Sequence, residues 1–258
     1  MTDRSLGVVI PAYKPDVDRL TGYVDRIDDR LDPEAIIVEL DAPESETVSE
    51  LQSLPGTVDT VPHRRGKGAA ITAGFEELET DLLLFADADG STPVDSLAAI
   101  VEPVRRGRAT LAVGSRRHPD AEIDDEQSAL RQILGDGFSR LAGMLLSVTL
   151  HDYQCGAKVV DAEAWERVRD HLYEPGFAWD VELIAMAGAV ELSVREVPIE
   201  WEDRPGSTVD PVADAVRMFR ALLTSRHRAK QLTDDRLHSV IAARQTQPTP
   251  LIERRAEL

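Results

Sequence analysis

The chain has 258 residues, 42% of them hydrophobic, and a formal net charge of −18. That length and apolar content suffice for one substantial core, so a single domain with a short tail is expected. The charge excludes nucleic acid as the main partner, because a phosphate backbone is held by a surplus of Lys and Arg and would be repelled by most of this surface.

Residues 6–10 form a short apolar run ending at Pro11 and read as a buried parallel strand followed by a loop. Val17, Leu20, Val24, Ile27 and Leu31 recur at three- and four-residue spacing, which predicts one face of a helix. Residues 35–40 repeat the strand signal, Val48 and Leu51 mark a second helix, 57–61 a third strand and 69–78 a further helix. Residues 81–86 are the next buried strand. Thr92-Pro93-Val94-Asp95 reads as a helix start, with Thr92 as cap, Pro93 at the first position and Asp95 reaching back. Residues 111–113 close the alternation.

Such an order implies a doubly wound α/β fold with a mostly parallel sheet, whose ligands bind beyond the carboxyl ends of the strands. Residues 118–127 are acidic and unpatterned, as in a mobile loop. Leu130, Ile133, Leu134, Phe138, Leu141 and Leu145 outline an amphipathic helix that Gly135 and Gly137 would bend. The expected organisation is a catalytic unit over 1–210, a basic helical region over 211–240 and a disordered tail over 241–258, patternless from Gln245 onward.

Only four lysines, Lys14, Lys67, Lys158 and Lys230, stand among 29 basic residues, and asparagine is missing altogether. A surface so rich in carboxylates resembles proteins adapted to high salt, although an ordinary acidic protein would read the same way. Where lysine survives, it marks a specific role. The single Cys155 excludes an internal disulfide, and without asparagine there is no N-glycosylation acceptor, so a reducing cytoplasm fits. Residues 1–14 lack the layout of a signal peptide. The longest apolar stretches, such as 141–150, fall short of the ~18 residues a spanning helix needs. A soluble or peripheral chain is expected.

Asp87-Ala88-Asp89 follows an apolar strand directly and precedes a helix. Two carboxylates there can hold Mg²⁺ or Mn²⁺ through hard oxygen ligands while the metal bridges a diphosphate; in other contexts such a pair is a solvated turn. Arg65-Gly66-Lys67-Gly68 falls between a strand and a helix, where glycines let the backbone approach phosphate and Lys67 adds a point charge. The plainer reading is a glycine turn with an exposed lysine. The first turn, Pro11-Ala12-Tyr13, lacks the Gly-x-Gly-x-x-Gly of a dinucleotide site.

Further segments continue the set: Val9-Ile10-Pro11-Ala12-Tyr13, Ile36-Ile37-Val38 ending at Asp41, Gly114-Ser115-Arg116, Asp152-Tyr153-Gln154-Cys155-Gly156-Ala157-Lys158, Phe177-Ala178-Trp179-Asp180-Val181-Glu182-Leu183 and Arg204-Pro205-Gly206-Ser207. In this order, from Val9 to Ser207, they resemble inverting family 2 glycosyltransferases of GT-A fold, and within them the dolichyl-phosphate glucose and mannose synthases. The resemblance implies that Pro11, Ala12, Tyr13, Asp41 and more weakly Glu39 line the nucleoside pocket, and that Asp87, Ala88 and Asp89 hold the metal and diphosphate. Lys67, Arg131, Asp152, Gln154 and Ser207 complete the donor-binding set it implies. Lys14-Pro15 and Leu40-Asp41-Ala42-Pro43 depart from the family pattern at the base and ribose end, so UDP and GDP both stay open.

An acceptor phosphate monoester, with a second pKa near ~6, is already ionised at neutral pH and needs positioning rather than a strong base. Arg116, Arg131, Lys158 and Arg204 are the cations to hold it against its own repulsion. Asp152, Asp180 and Glu182 have two readings: contacts to the sugar or base, or orientation of those cations. Asp152 and Gln154 fit the sugar better, and Asp180 is the base if the acceptor is a hydroxyl. Phe177 and Trp179 are core aromatics or flank the sugar or lipid. Residues 216–231 carry Arg217, Arg220, Arg226, Arg228 and Lys230 without an acid, as in a helix on an anionic membrane or one packed on the acidic domain.

The expected partners are therefore a nucleotide diphosphate sugar, a dolichyl or polyprenyl phosphate and the inner face of the cell membrane. A soluble or glycan hydroxyl acceptor, and a silent nucleotide-sugar-binding scaffold, stand as alternatives.

Overall fold

The computed structural model describes residues 4–123, 129–201, 211–233 and 248–254, with the side chains of 122–134 and 211–214 outside the description. The chain alternates from its start: β1 (Leu6–Tyr13), α1 (Val17–Leu31), β2 (Ala35–Asp41), α2 (Ser45–Glu50), β3 (Thr57–Val61), α3 (Lys67–Glu77), β4 (Leu82–Ala86), α4 (Val94–Arg105) and β5 (Leu111–Ser115). It continues as β6 (Glu122–Ile123), α5 (Ala129–Leu145), β7 (Ala157–Asp161), α6 (Ala162–Val168), α7 (Trp179–Ala189), β8 (Val194–Pro198), β9 (Glu200–Trp201) and α8 (Pro211–Leu232).

Seven strands form one sheet in the order β3-β2-β1-β4-β7-β5-β8, while β6 pairs with β9 separately. The expected mostly parallel α/β sheet is present, with β7 running antiparallel to both β4 and β5. That reversal places the site. The chain crosses the carboxyl edge of the sheet before β7 turns back into it, so the first residues of β7 lie beside the last residues of its neighbours. Lys158 is thereby in register with Phe85 on one side and Val113 on the other.

Strand side chains alternate between faces. β1 sends Leu6, Val8, Ile10 and Ala12 into a core shared with α1 and α4, and Val9 into a second core shared with α3 and α7. Covering both faces explains why the strands read as unbroken apolar runs. Helix α7 is buried from Trp179 to Ala187, Asp180 and Glu182 included, and it packs on α8. Charged groups so placed require partners.

Two expectations change. Helix α4 begins at Val94 with Pro93 before it; Thr92 instead offers its carbonyl to the Tyr23 hydroxyl at 2.8 Å, and Asp95 pairs with Arg30 at 2.7 Å. Helix α5 is present where expected, Gly135 and Gly137 included. Within the tail, 248–254 is ordered: Leu251 is 1% exposed, sits against α3 and donates its backbone N–H to Leu172 O at 2.8 Å. A single apolar anchor has no periodicity to read. The rest of 241–258 lies outside the described residues, as do residues 124–127 of the expected acidic loop, of which Glu122–Ile123 forms β6.

Candidate active site

Asp87 leaves the end of β4 with its N–H bonded to Gly156 O at 2.9 Å. A Cβ at Gly156 would overlap the Asp87 carboxylate, so only glycine there leaves that side chain its place. Asp89 closes the next turn by accepting from Ser91 N at 2.9 Å, while Gly90, at φ +65°, lies against the Tyr23 ring. The two carboxylates thus stand at the carboxyl edge, Asp87 38% exposed by side chain and Asp89 exposed.

Behind them runs a chain of alternating charges from four different elements. Lys67, the first residue of α3, places Nζ 2.9 Å from Asp87 Oδ1 and 3.0 Å from Asp180 Oδ2. Asp180, in the first turn of α7, also pairs with Lys158 Nζ, which donates to Cys155 O at 2.7 Å. Both ammonium groups lie over the face of Phe85, at 5.1 and 5.4 Å from its centroid. Burial alone would raise the Asp180 pKa, but Lys158 and Lys67 outweigh it and hold the carboxyl below the usual range. Asp87 moves the other way, raised first by burial and then by the Asp180 and Asp89 charges, against the pull of Lys67. Burial would lower Lys67, yet Asp180 and Asp87 raise it.

Arg116, just past β5, is gripped by Asp152: Nε donates to Oδ2 at 2.7 Å and Nη2 to Oδ1 at 3.1 Å. Oδ1 also accepts from Gln154 N at 2.9 Å. Despite complete burial, the Arg116 charge and hydrogen bonds lower the Asp152 pKa to about 2. Arg116 also lies 5.6 Å from the Trp201 ring. The carboxylates of Asp152, Asp180 and Glu182 each meet a cation in this structure. Asp152 is spent on Arg116, Asp180 on two lysines, and Glu182 on Arg228 and the Tyr173 and Glu174 N–H groups, both at 2.7 Å.

At the end of β2, Glu39 and Asp41 share a face and converge on Arg65. Nη2 donates to Glu39 Oε2 at 2.7 Å and Nε to Asp41 Oδ1 at 2.8 Å; Asp41 Oδ2 takes the N–H groups of Arg65 and Gly66 at 2.8 and 3.0 Å. Asp41 therefore fixes the loop that presents Lys67, and all three side chains are buried. Burial raises the Glu39 pKa against the pull of Arg65. Ala12 points its side chain into the core and can offer only backbone to a ligand. Pro11 is half-buried and Ala88 packs against the same core. The Tyr13 ring is exposed, with the Arg64 guanidinium 4.2 Å and Lys14 Nζ 5.7 Å from its centroid.

Sequence reasoning missed Arg64, and missed Arg65 as a partner. The signal was present: acids two apart on a buried strand face one side and need a cation. Trp179 is a core residue bonded to Thr72 Oγ1 at 3.1 Å, whereas Phe177 is 64% exposed. Arg204, Ser207 and the Arg131 side chain lie outside the described residues. Among the described residues no cluster of three or more His, Cys, Asp or Glu is placed to hold a metal, and no helix is long and apolar enough to cross a membrane.

A mixed α/β sheet of this order, with its polar residues gathered at the carboxyl edge, defines the GT-A class of glycosyltransferase fold. The family model of glycosyl transferase family 2 matches residues 7–169, and the chain belongs to that family. Glycosyltransferase AglD of Haloferax volcanii is 31% identical over 230 residues, which are 84% of this chain and 36% of that protein. The dolichyl-phosphate beta-glucosyltransferase of Homo sapiens is 29% identical over 251 residues, 87% of this chain and 76% of that one. The chain thus spans about a third of AglD and three quarters of the human protein. Glucosyl-3-phosphoglycerate synthase from Mycobacterium tuberculosis, solved with Mn²⁺, UDP and glucosyl-3-phosphoglycerate, superposes with a TM-score of 0.68 over 86% of this chain and 80% of its own. At 16% identity that likeness concerns the fold alone.

Proposed function

We propose that this chain transfers a hexose, with inversion, from a nucleotide diphosphate sugar of the UDP-glucose or GDP-mannose type to a dolichyl or polyprenyl phosphate. The observation that carries it is the state of Asp180. A hydroxyl acceptor needs a base, and Asp180, the residue placed for it, is saturated by Lys67 and Lys158 and held ionised below the ordinary carboxylate range. A phosphate acceptor needs no base, only cations that position it. Relatives named dolichyl-phosphate beta-glucosyltransferase along most of the chain support the same acceptor and favour glucose as the sugar.

Asp87 and Asp89, partly exposed and exposed at the carboxyl edge of the sheet, suit a divalent cation of the Mg²⁺ or Mn²⁺ kind, which takes one or two carboxylates and completes its shell with substrate phosphates and water. When bound, such an ion supplies neutralisation of the departing nucleotide diphosphate. The remaining steps belong to the protein. Asp152 holds the Arg116 guanidinium in one orientation, ready for a phosphate oxygen. Asp41 and Arg65 fix the loop that aims Lys67 at the diphosphate, and Lys158 steadies Asp180 from the far side. Arg204, Arg131 and Ser207 complete the acceptor and donor contacts in this reading, and Tyr13 with Arg64 forms the face on which the nucleobase rests.

The acceptor is a lipid, so the enzyme works at a membrane, on its cytoplasmic side. Helix α8 buries Met218, Leu222, Ser225 and Ala229 and turns Val216, Phe219 and Leu223 outward beside Arg220. Arg228 and Arg226 serve the domain itself, through Glu182 and Leu145 O. The outward face suits shallow insertion among lipid headgroups.

Nucleoside diphosphate release from a panel of nucleotide sugars, measured at molar KCl with a short polyprenyl phosphate or with hydroxyl acceptors, tests the proposal. Release that requires the lipid phosphate supports it. Equal release with a hydroxyl acceptor overturns the choice of acceptor.

A further inference from the structure

We propose that Lys67 competes with the divalent cation for Asp87, and so makes metal binding depend on the nucleotide diphosphate. The inference rests on the reading of Asp87 and Asp89 as the metal-diphosphate carboxylates and adds to it a role for a third residue.

Lys67 Nζ lies 2.9 Å from Asp87 Oδ1, on a carboxylate that a metal would ligate. A cation with two charges placed on that carboxylate meets the ammonium at a few ångströms, in a site where the lysine side chain is only 8% exposed. Repulsion at such a separation, weakly screened by water, amounts to more than tenfold in affinity. Metal alone therefore binds against Lys67.

The arrangement also says how the conflict is relieved. Lys67 is held by a second carboxylate, Asp180, at 3.0 Å, so it can leave Asp87 without becoming an unpaired buried charge. Asp180 keeps Lys158 throughout. A diphosphate bridging the metal brings the negative charge to which a flexible lysine head can turn while its stem stays anchored at the start of α3. Metal and nucleotide then enter as one unit. By linkage, each raises the affinity of the other by the same factor.

The test is binding of Mn²⁺ to the full chain, followed by the loss of the free-ion electron paramagnetic resonance signal at molar KCl, with circular dichroism melts confirming folding. Mn²⁺ alone is expected to bind the Lys67→Met variant at least tenfold more tightly than wild type, and Lys67→Arg, which keeps the charge, about as weakly as wild type. In wild type, UDP is expected to raise Mn²⁺ affinity at least tenfold after correction for chelation by UDP itself. Lys67→Gln, which also removes the charge, is expected to bind Mn²⁺ alone at least tenfold more tightly than wild type and serves in place of Lys67→Met if that variant does not fold. Unchanged affinity in a folded Lys67→Met, or no coupling to UDP in wild type, overturns the competition. If wild type and Asp89→Ala bind Mn²⁺ with UDP equally, the metal reading of the site falls, and the competition with it. If Asp89→Ala abolishes binding while Lys67→Met matches wild type, only the competition falls.

Discussion

Gly156 makes room for Asp87: a side chain at 156 would occupy the space of that carboxylate, while the Gly156 carbonyl anchors the Asp87 N–H at 2.9 Å. One strand turn therefore both fixes the backbone of the acidic edge and leaves its side chain free to face the cleft. Gly156→Ala is expected to fold and to displace the carboxylate by about an ångström, lowering turnover on the order of 10²-fold. Steady-state kinetics beside a thermal melt check this; an active enzyme with an unchanged rate would show that the Asp87 position does not matter.

The buried lysine–carboxylate chain predicts a stability pattern. Asp180→Ala strands Lys158, which is 1% exposed, and should cost about 3–5 kcal/mol. Asp180→Ala combined with Lys158→Met should recover a large part of that loss, since an apolar replacement removes the orphaned charge. Urea unfolding of both variants measures it, and strict additivity of the two substitutions would contradict the pairing.

The acid limb of stability belongs to Asp152 and Asp180. Both have folded pKa values below their ordinary ones, so each contributes stability that is complete above the unfolded value and is lost as pH falls through the folded one. For Asp152 that window runs from about pH 4 down to about 2. Asp87, Glu39 and Glu182 are raised, so mild acidification relieves them before that limb begins. Arg116→Met removes the group that holds Asp152 down, so it should lower stability at neutral pH and flatten the loss of stability between about pH 4 and 2, as measured by urea unfolding at each pH. An equally steep loss in the variant would assign the acid limb to other groups.

Much of this was legible in the residues, and the exceptions have physical causes. Both-face burial makes β1, β2 and β4 read as apolar runs, and three- and four-residue spacing gives α1. The direction of β7 was not legible, because five residues with a lysine among them carry no mark of orientation. Since that reversal is what brings Lys158 to the edge, its pairing with Asp180 could be read from the sequence only as one of two alternatives. Asp41 and Glu39 were found as acids, but their common partner Arg65 lies 24 and 26 residues away and only folding joins them.

The outward face of α8 gives a prediction free of the chemistry. Phe219→Glu with Leu223→Glu changes exposed side chains and should leave the melting temperature within a few degrees of wild type. Binding to vesicles containing anionic lipid, read by co-sedimentation, should fall at least tenfold. Unaltered co-sedimentation would move the membrane contact elsewhere.

The central claim is that Asp87 and Asp89 hold a cation that neutralises the leaving nucleotide. Its most direct test is nucleoside diphosphate release in the presence of polyprenyl phosphate and Mn²⁺ or Mg²⁺, compared between wild type, wild type with chelator, and Asp89→Ala. The expected result is release that stops with chelator, returns with added metal and falls at least 10³-fold in Asp89→Ala. Release that survives both chelation and loss of the Asp89 carboxylate would contradict the account.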